Sequence, residues 1–168
     1  QLDLWMAGEN YCRYQFYQAA KEADLIIVEG AMGMFDGEPS SADLAATFNI
    51  PMAIVMDVKG MAQTAAAIAT GLANYRDDVQ VAGLIANGCS TERHQQLIEG
   101  ALPESLPLLA TLARSESVAL PERHLGLVQA SEVRDELELR FEAAADWLVG
   151  AGLDNILERF ANIEFTPA

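Results

Sequence analysis

The residues that could do chemistry gather in one short stretch of the sequence. Glu29 and Asp36 are two carboxylates, and three glycines, Gly30, Gly33 and Gly37, lie around them. Ser40 and Ser41 follow at once. A carboxylate beside glycines that let a ligand approach the backbone suits a metal-bound phosphate or a reacting carboxylate. Asp36 on its own reads equally well as part of a turn, because Asp-Gly is common there. Further along, Asp57, Lys59 and Asn87 are polar residues directly after apolar runs.

These side chains need elements to hold them. Leu25–Val28 is a four-residue apolar run that suits a strand buried on both faces, with Glu29 at its end. Met52–Met56 ends in Asp57, and 79–86 ends at Asn87, so both read as strands of the same kind. A further strand is expected over 106–112, with Pro107 at its start. Helices are expected over 9–23, where Cys12, Phe16, Ala19, Ala20 and Ala23 share a face, over 42–48 with Ser40 or Ser41 as cap, over 61–73, and over 91–102. Strand and helix thus alternate from about 9 to 112. That pattern predicts an α/β fold with a mostly parallel sheet covered by helices on both faces. Ligands of such sheets bind beyond the carboxyl ends of the strands, which would set Glu29, Asp57 and Asn87 on one rim. For Asp57 a simple turn role is the preferred reading. After a linker over 113–131, an amphipathic helix is expected at about 132–150, with Val133, Leu137, Phe141, Ala144 and Leu148 on its apolar side. A short helix near 153–162 follows.

The totals narrow the function classes. The 168 residues carry 25 acidic and 10 basic side chains, a net charge of −15. That balance argues against nucleic acid, which needs a basic footprint. No apolar run reaches the ~18 residues of a membrane span, and the first residues lack the basic start of a signal peptide. Two cysteines, Cys12 and Cys89, are too few for a disulfide framework and are not spaced for zinc. A cytoplasmic protein is the expectation. The sequence starts at Gln1 and is expected to be a piece of a longer protein or to have an earlier start. It contains no G-x-x-x-x-G-K-[ST] phosphate loop and no nucleophile elbow. His94 and His124 read as structural or exposed rather than catalytic.

Several words of the sequence carry a family resemblance. They are Val28-Glu29-Gly30-Ala31-Met32-Gly33-Met34-Phe35-Asp36-Gly37, Ser40-Ser41-Ala42-Asp43-Leu44-Ala45 and Ala82-Gly83-Leu84-Ile85-Ala86-Asn87. Ser90-Thr91-Glu92-Arg93-His94 and Pro121-Glu122-Arg123-His124-Leu125-Gly126-Leu127 complete the set. The chain resembles the cobyrinic acid a,c-diamide synthases, including the hydrogenobyrinic acid variant. These are ATP-dependent, glutamine-using amidoligases of cobalamin biosynthesis. The glycine loop and the Pro-Glu-Arg-His-Leu-Gly-Leu word are the specific parts of the match. One departure is Gly88, where the family usually has arginine.

The resemblance implies a P-loop-type synthetase domain similar to dethiobiotin synthetase. The phosphate-loop segment and the glutaminase domain are both absent from these 168 residues. It implies ATP and Mg²⁺ as cofactors, a corrinoid polycarboxylate as substrate, and ammonia from the missing glutaminase. Glu29 would be a catalytic residue and the Mg²⁺ ligand. Asp36 would lie at the substrate carboxylate and its acyl phosphate, and Asn87 would bind adenine. Gly37, Ser40 and Ser41 would contact the substrate. Both substrates are anionic, so a chain at −15 is expected to bind ATP poorly by itself, with Lys59 and Arg93 as local offsets. A sheet edge left open would allow association, including a homodimer. Two other readings stay open. One is a related tetrapyrrole amidoligase, and the other is a P-loop-like regulatory or binding module without catalysis.

Overall fold

The computed structural model describes residues 2–119 and 134–167. Helix α1 is Gly8–Glu22, helix α2 Ser41–Phe48, strand β1 Met52–Asp57 and helix α3 Gln63–Asn74. Strand β2 is Val81–Asn87, helix α4 Glu92–Ala101, strand β3 Leu108–Leu112 and helix α5 Arg134–Gly150. A 3-10 turn, Asn155–Arg159, follows. The Pro-Glu-Arg-His-Leu-Gly-Leu word, His124 and most of the expected linker lie outside the described residues. No helix among the described residues is long and apolar enough to cross a membrane.

The sheet has three strands in the order β1-β2-β3. β2 and β3 are parallel, pairing Ile85 with Ala110 and Asn87 with Leu112, with an irregularity between Leu84 and Ile85. β1 runs alongside β2 in the same direction. Met52 N–H donates to the Gln80 carbonyl at the start (2.8 Å), and Val58 N–H donates to that of Asn87 at the end (2.8 Å). Residues Gly83 to Ala86 are all buried, which explains why β2 reads as a continuous apolar run. The α/β expectation therefore holds for three strands.

The strand expected over 25–29 does not form. Residues 25–29 carry no strand, and Leu25, Ile27 and Val28 are 49%, 83% and 38% exposed. An apolar run becomes a strand only when neighbours take up its N–H and C=O groups. None of the described residues offers that ladder here, and Ile26 alone packs against a core.

The chain falls into two compact units. The first comprises Gln1–Ala53, Gly71–Ala82 and Ala161–Ala168. Its core is Cys12, Phe16 and Phe48, with Leu44 and Ile50 against it. The Phe16 ring stacks on Phe165 at 4.8 Å and tilts against Phe48 at 5.0 Å. Cys12 and Phe16 are on the expected face of α1, whereas Ala20 and Ala23 are exposed. The second unit comprises Ile54–Thr70 and Gly83–Phe160. Its core cluster is Ile85, Ala110 and Leu112, with Trp147, Ala151 and Leu153 packed on it. Here α5 departs from expectation. None of its residues is buried, and Phe141 is 53% exposed. The helix is held instead by Trp147, whose indole N–H donates to the Ala113 carbonyl at 3.0 Å. Together with Arg140, whose guanidinium donates to the Glu116 and Ala119 carbonyls, this amphipathic tryptophan replaces the expected apolar stripe as the anchor.

Candidate functional site

In the first unit the glycine stretch is a folded loop leading into α2. Asp36 N–H donates to the Gly33 carbonyl (3.0 Å), closing a turn. Ala42 N–H donates to the Met34 carbonyl (3.0 Å), which ties the loop to the first turn of α2. A Cβ at Gly33 would meet the carboxylate of Asp36, the exposed end of a flexible side chain, which would have to move aside. The Glu38–Pro39 peptide is cis. Residues 36–39 are exposed, whereas Ser40 is buried. The loop therefore presents Asp36 and Gly37 outward from a fixed base.

That base is a capping box. Ser40 is the N-cap of α2, and its hydroxyl accepts from Asp43 N–H at 3.2 Å. The Asp43 Oδ2 accepts from Ser40 N–H (2.7 Å) and from the Ser40 hydroxyl (3.0 Å). The sequence left the cap open between Ser40 and Ser41, and the structure assigns it to Ser40. The Ser40 hydroxyl is thus committed on both its donor and acceptor sides. Ser41 is half-buried, with its hydroxyl beside the Gly30 backbone. Glu29 is exposed and does not end a strand.

Two residues that sequence reasoning missed complete this region. The Arg76 guanidinium donates to Asp43 Oδ1 at 2.6 Å, and forks onto Asp78 with contacts of 2.8 and 2.6 Å. The Tyr75 ring lies 4.7 Å from that of Phe35, tilted by 55°. The hydrogen bond from the Ser40 backbone, and then the one from Arg76, hold the Asp43 carboxyl below its ordinary value. Arg76 does the same to Asp78, and both carboxylates push the Arg76 guanidinium upward. Arg76 lies 33 residues from Asp43, beyond the reach of any local pattern.

In the second unit, the ends of β1 and β2 meet as the strand-end argument required. Asp57 Oδ1 accepts from Lys59 N–H at 2.9 Å, the self-contained turn that was its preferred reading. Asn87 is exposed at the end of β2, with its backbone carbonyl bonded to Val58 and its side chain at the surface. Gly88 follows with φ +78°, a left-handed conformation that strains other residues. Its N–H and that of Cys89 both donate to the Leu112 carbonyl, at 2.8 and 3.0 Å. Burial raises the Cys89 thiol above its ordinary value, which suits an inert cysteine. Lys59 and Arg93 are exposed. A ring nitrogen of His94 bonds the Met61 carbonyl, so this histidine has a structural partner, as its sequence reading preferred. Both cysteines are free and buried.

The rim expected from sequence is therefore only partly built as strand ends. Asp57 and Asn87 close adjacent strands of one sheet, while Glu29, Asp36, Gly37, Ser40 and Ser41 belong to the loop of the first unit. Among the described residues no three His, Cys, Asp or Glu side chains gather to hold a metal.

No family model and no solved structure matches the chain. Curated proteins do. The chain is 49% identical over 148 residues to hydrogenobyrinate a,c-diamide synthase from Stutzerimonas stutzeri, covering 88% of this chain and 34% of that protein. The chain is homologous to part of an a,c-diamide synthase. The cobyrinate a,c-diamide synthase of Herminiimonas arsenicoxydans is 46% identical over 132 residues, 79% of this chain and 30% of that protein. The hydrogenobyrinate a,c-diamide synthase of Agrobacterium fabrum is 43% identical over 153 residues, 86% of this chain and 35% of the relative. The chain spans about a third of the length of these synthases.

Proposed function

We propose that this chain is part of the synthetase domain of a glutamine-using a,c-diamide synthase that acts on hydrogenobyrinate or cobyrinate in cobalamin biosynthesis. The observation that carries the reading is the 49% identity, over 88% of the chain, to a protein named for that reaction. In this reading all 168 residues belong to one partial domain of P-loop type, in a cytoplasmic enzyme. The phosphate-binding loop and the glutaminase lie elsewhere in the protein.

The chemistry follows from the poor reactivity of a carboxylate. A carboxylate oxygen of the a or c side chain bonds to the γ-phosphorus of ATP as the bond to ADP breaks. The acyl phosphate that results has a good leaving group. Ammonia, released from glutamine, then adds to the acyl carbon, phosphate departs, and the nitrogen loses a proton to leave the amide. Asp36, exposed at the loop tip, would sit beside this carbon and accept an N–H of the incoming ammonia. Gly37, next to it, would let the corrin side chain approach the backbone. Of the two serines, Ser41 is better placed to meet a substrate carboxylate, because the Ser40 hydroxyl is held in the capping box. Asn87 would read the adenine edge, since its amide carries both a donor and an acceptor.

A nucleotide-bound Mg²⁺ takes one or two carboxylates and otherwise phosphate and water. Glu29, an exposed carboxylate, fits that modest demand. The ion would neutralise charge on the nucleotide phosphates. The test of the phosphorylated intermediate is isotopic. With substrate carboxylates carrying ¹⁸O, the full-length gene product should release phosphate containing one ¹⁸O per amide formed. Unlabelled phosphate would rule the acyl phosphate out.

A further inference from the structure

We propose that Tyr75 and Arg76 are positioning residues that clamp the loop carrying Asp36 and so set the affinity for the carboxylate substrate. The proposal rests on the substrate role of that loop. Asp36 and Gly37 lie in a span of exposed residues, 36–39, that has little packing of its own. Its two feet are the half-buried Phe35 and the buried Ser40. Tyr75 holds the first foot, with its ring 4.7 Å from that of Phe35. Arg76 holds the second through Asp43. One oxygen of that carboxylate takes the guanidinium at 2.6 Å, and the other takes the N–H and hydroxyl of Ser40 at 2.7 and 3.0 Å. Asp78 fixes the guanidinium plane from the far side with a two-point fork. Adjacent residues after α3 thus reach both ends of the same exposed span.

The clamp is poorly explained as a source of stability. Its ion pairs are partly solvated, with Arg76 29% and Asp43 35% exposed, and such pairs contribute little to folding. Tyr75 is 71% exposed, so it buries little area. Small shifts of a substrate-positioning loop, by contrast, weigh heavily on catalysis. Arginine is also the residue type that fixes an orientation, because its planar fork meets two carboxylates at defined angles.

Steady-state kinetics of the full-length gene product test this. Arg76→Ala and Tyr75→Ala should each raise the corrinoid KM by roughly tenfold or more, while the KM values for ATP and glutamine stay at wild type. Tyr75→Phe keeps the ring pair and should behave as wild type. Arg76→Lys keeps the charge without the fork and should recover only part of the loss. If the alanine variants fail to fold, Arg76→Lys and Tyr75→Leu carry the test. An unchanged corrinoid KM in folded variants, or an equal rise in all three KM values, overturns the clamp. Asp36→Asn separates the two levels. If it abolishes amidation while the clamp variants keep a wild-type KM, only the clamp fails. If it leaves amidation intact, the substrate role of the loop fails as well.

Discussion

Replacing Asp43 by alanine tests how the glycine loop is seated. The substitution removes the reciprocal half of the capping box, which costs about 1 kcal/mol by the usual worth of a cap. It also removes the partly solvated Arg76 pair, which adds little, and an acid in the first turn of α2, about 0.5 kcal/mol. Alanine returns a few tenths through its helix propensity. The net loss is roughly 1.5 kcal/mol, which for a chain of 168 residues lowers Tm by about 3–6 °C. The pH dependence is fixed in sign. The folded-state pKa of Asp43 lies below its ordinary 3.8, so its contribution is complete above that value and fades as pH falls through the lowered one. The gap between wild type and Asp43→Ala should therefore be constant from neutral pH down to about pH 5 and close in stronger acid. Thermal unfolding followed by far-UV circular dichroism across this range measures it. A variant as stable as wild type at neutral pH, or a gap that widens in acid, would refute the reasoning.

Other outcomes follow from the same geometry. Gly33→Ala forces the mobile end of Asp36 aside, so amidation should fall on the order of tenfold to a hundredfold while Tm moves by only about 2 °C. Assay and melting curve together check this. Asn87→Ala removes one hydrogen-bonding amide and should raise the KM for ATP by roughly tenfold, with the corrinoid KM unchanged. The isolated chain, at −15, should show weak heats when titrated with ATP and Mg²⁺ in a calorimeter, and tight Mg²⁺-dependent binding would contradict that.

The sequence was readable where local periodicity and caps decide the structure. The apolar runs ending in Asp57 and Asn87 are strands, and the helix expected after Ser40 or Ser41 forms, with Ser40 as its cap. It misled where an element depends on what lies beside it. Leu25–Val28 has the composition of a buried strand, yet strand formation is a property of a pair, and no partner is present among the described residues. The same holds for α5, whose apolar residues at helical spacing found no core, while Trp147 did. The candidate site was legible in its residues but not in its supports. Nothing in the Asn74-Tyr75-Arg76-Asp77-Asp78 run announces that its tyrosine and arginine reach Phe35 and Asp43, because that meeting is made by topology.

The central claim is tested most directly by the product of the full-length gene product. Incubated with hydrogenobyrinate or cobyrinate, glutamine, ATP and Mg²⁺, it should yield a corrin carrying two new amides, located by NMR at the a and c side chains. Amides at other side chains, or no amide with either corrin, would contradict the account.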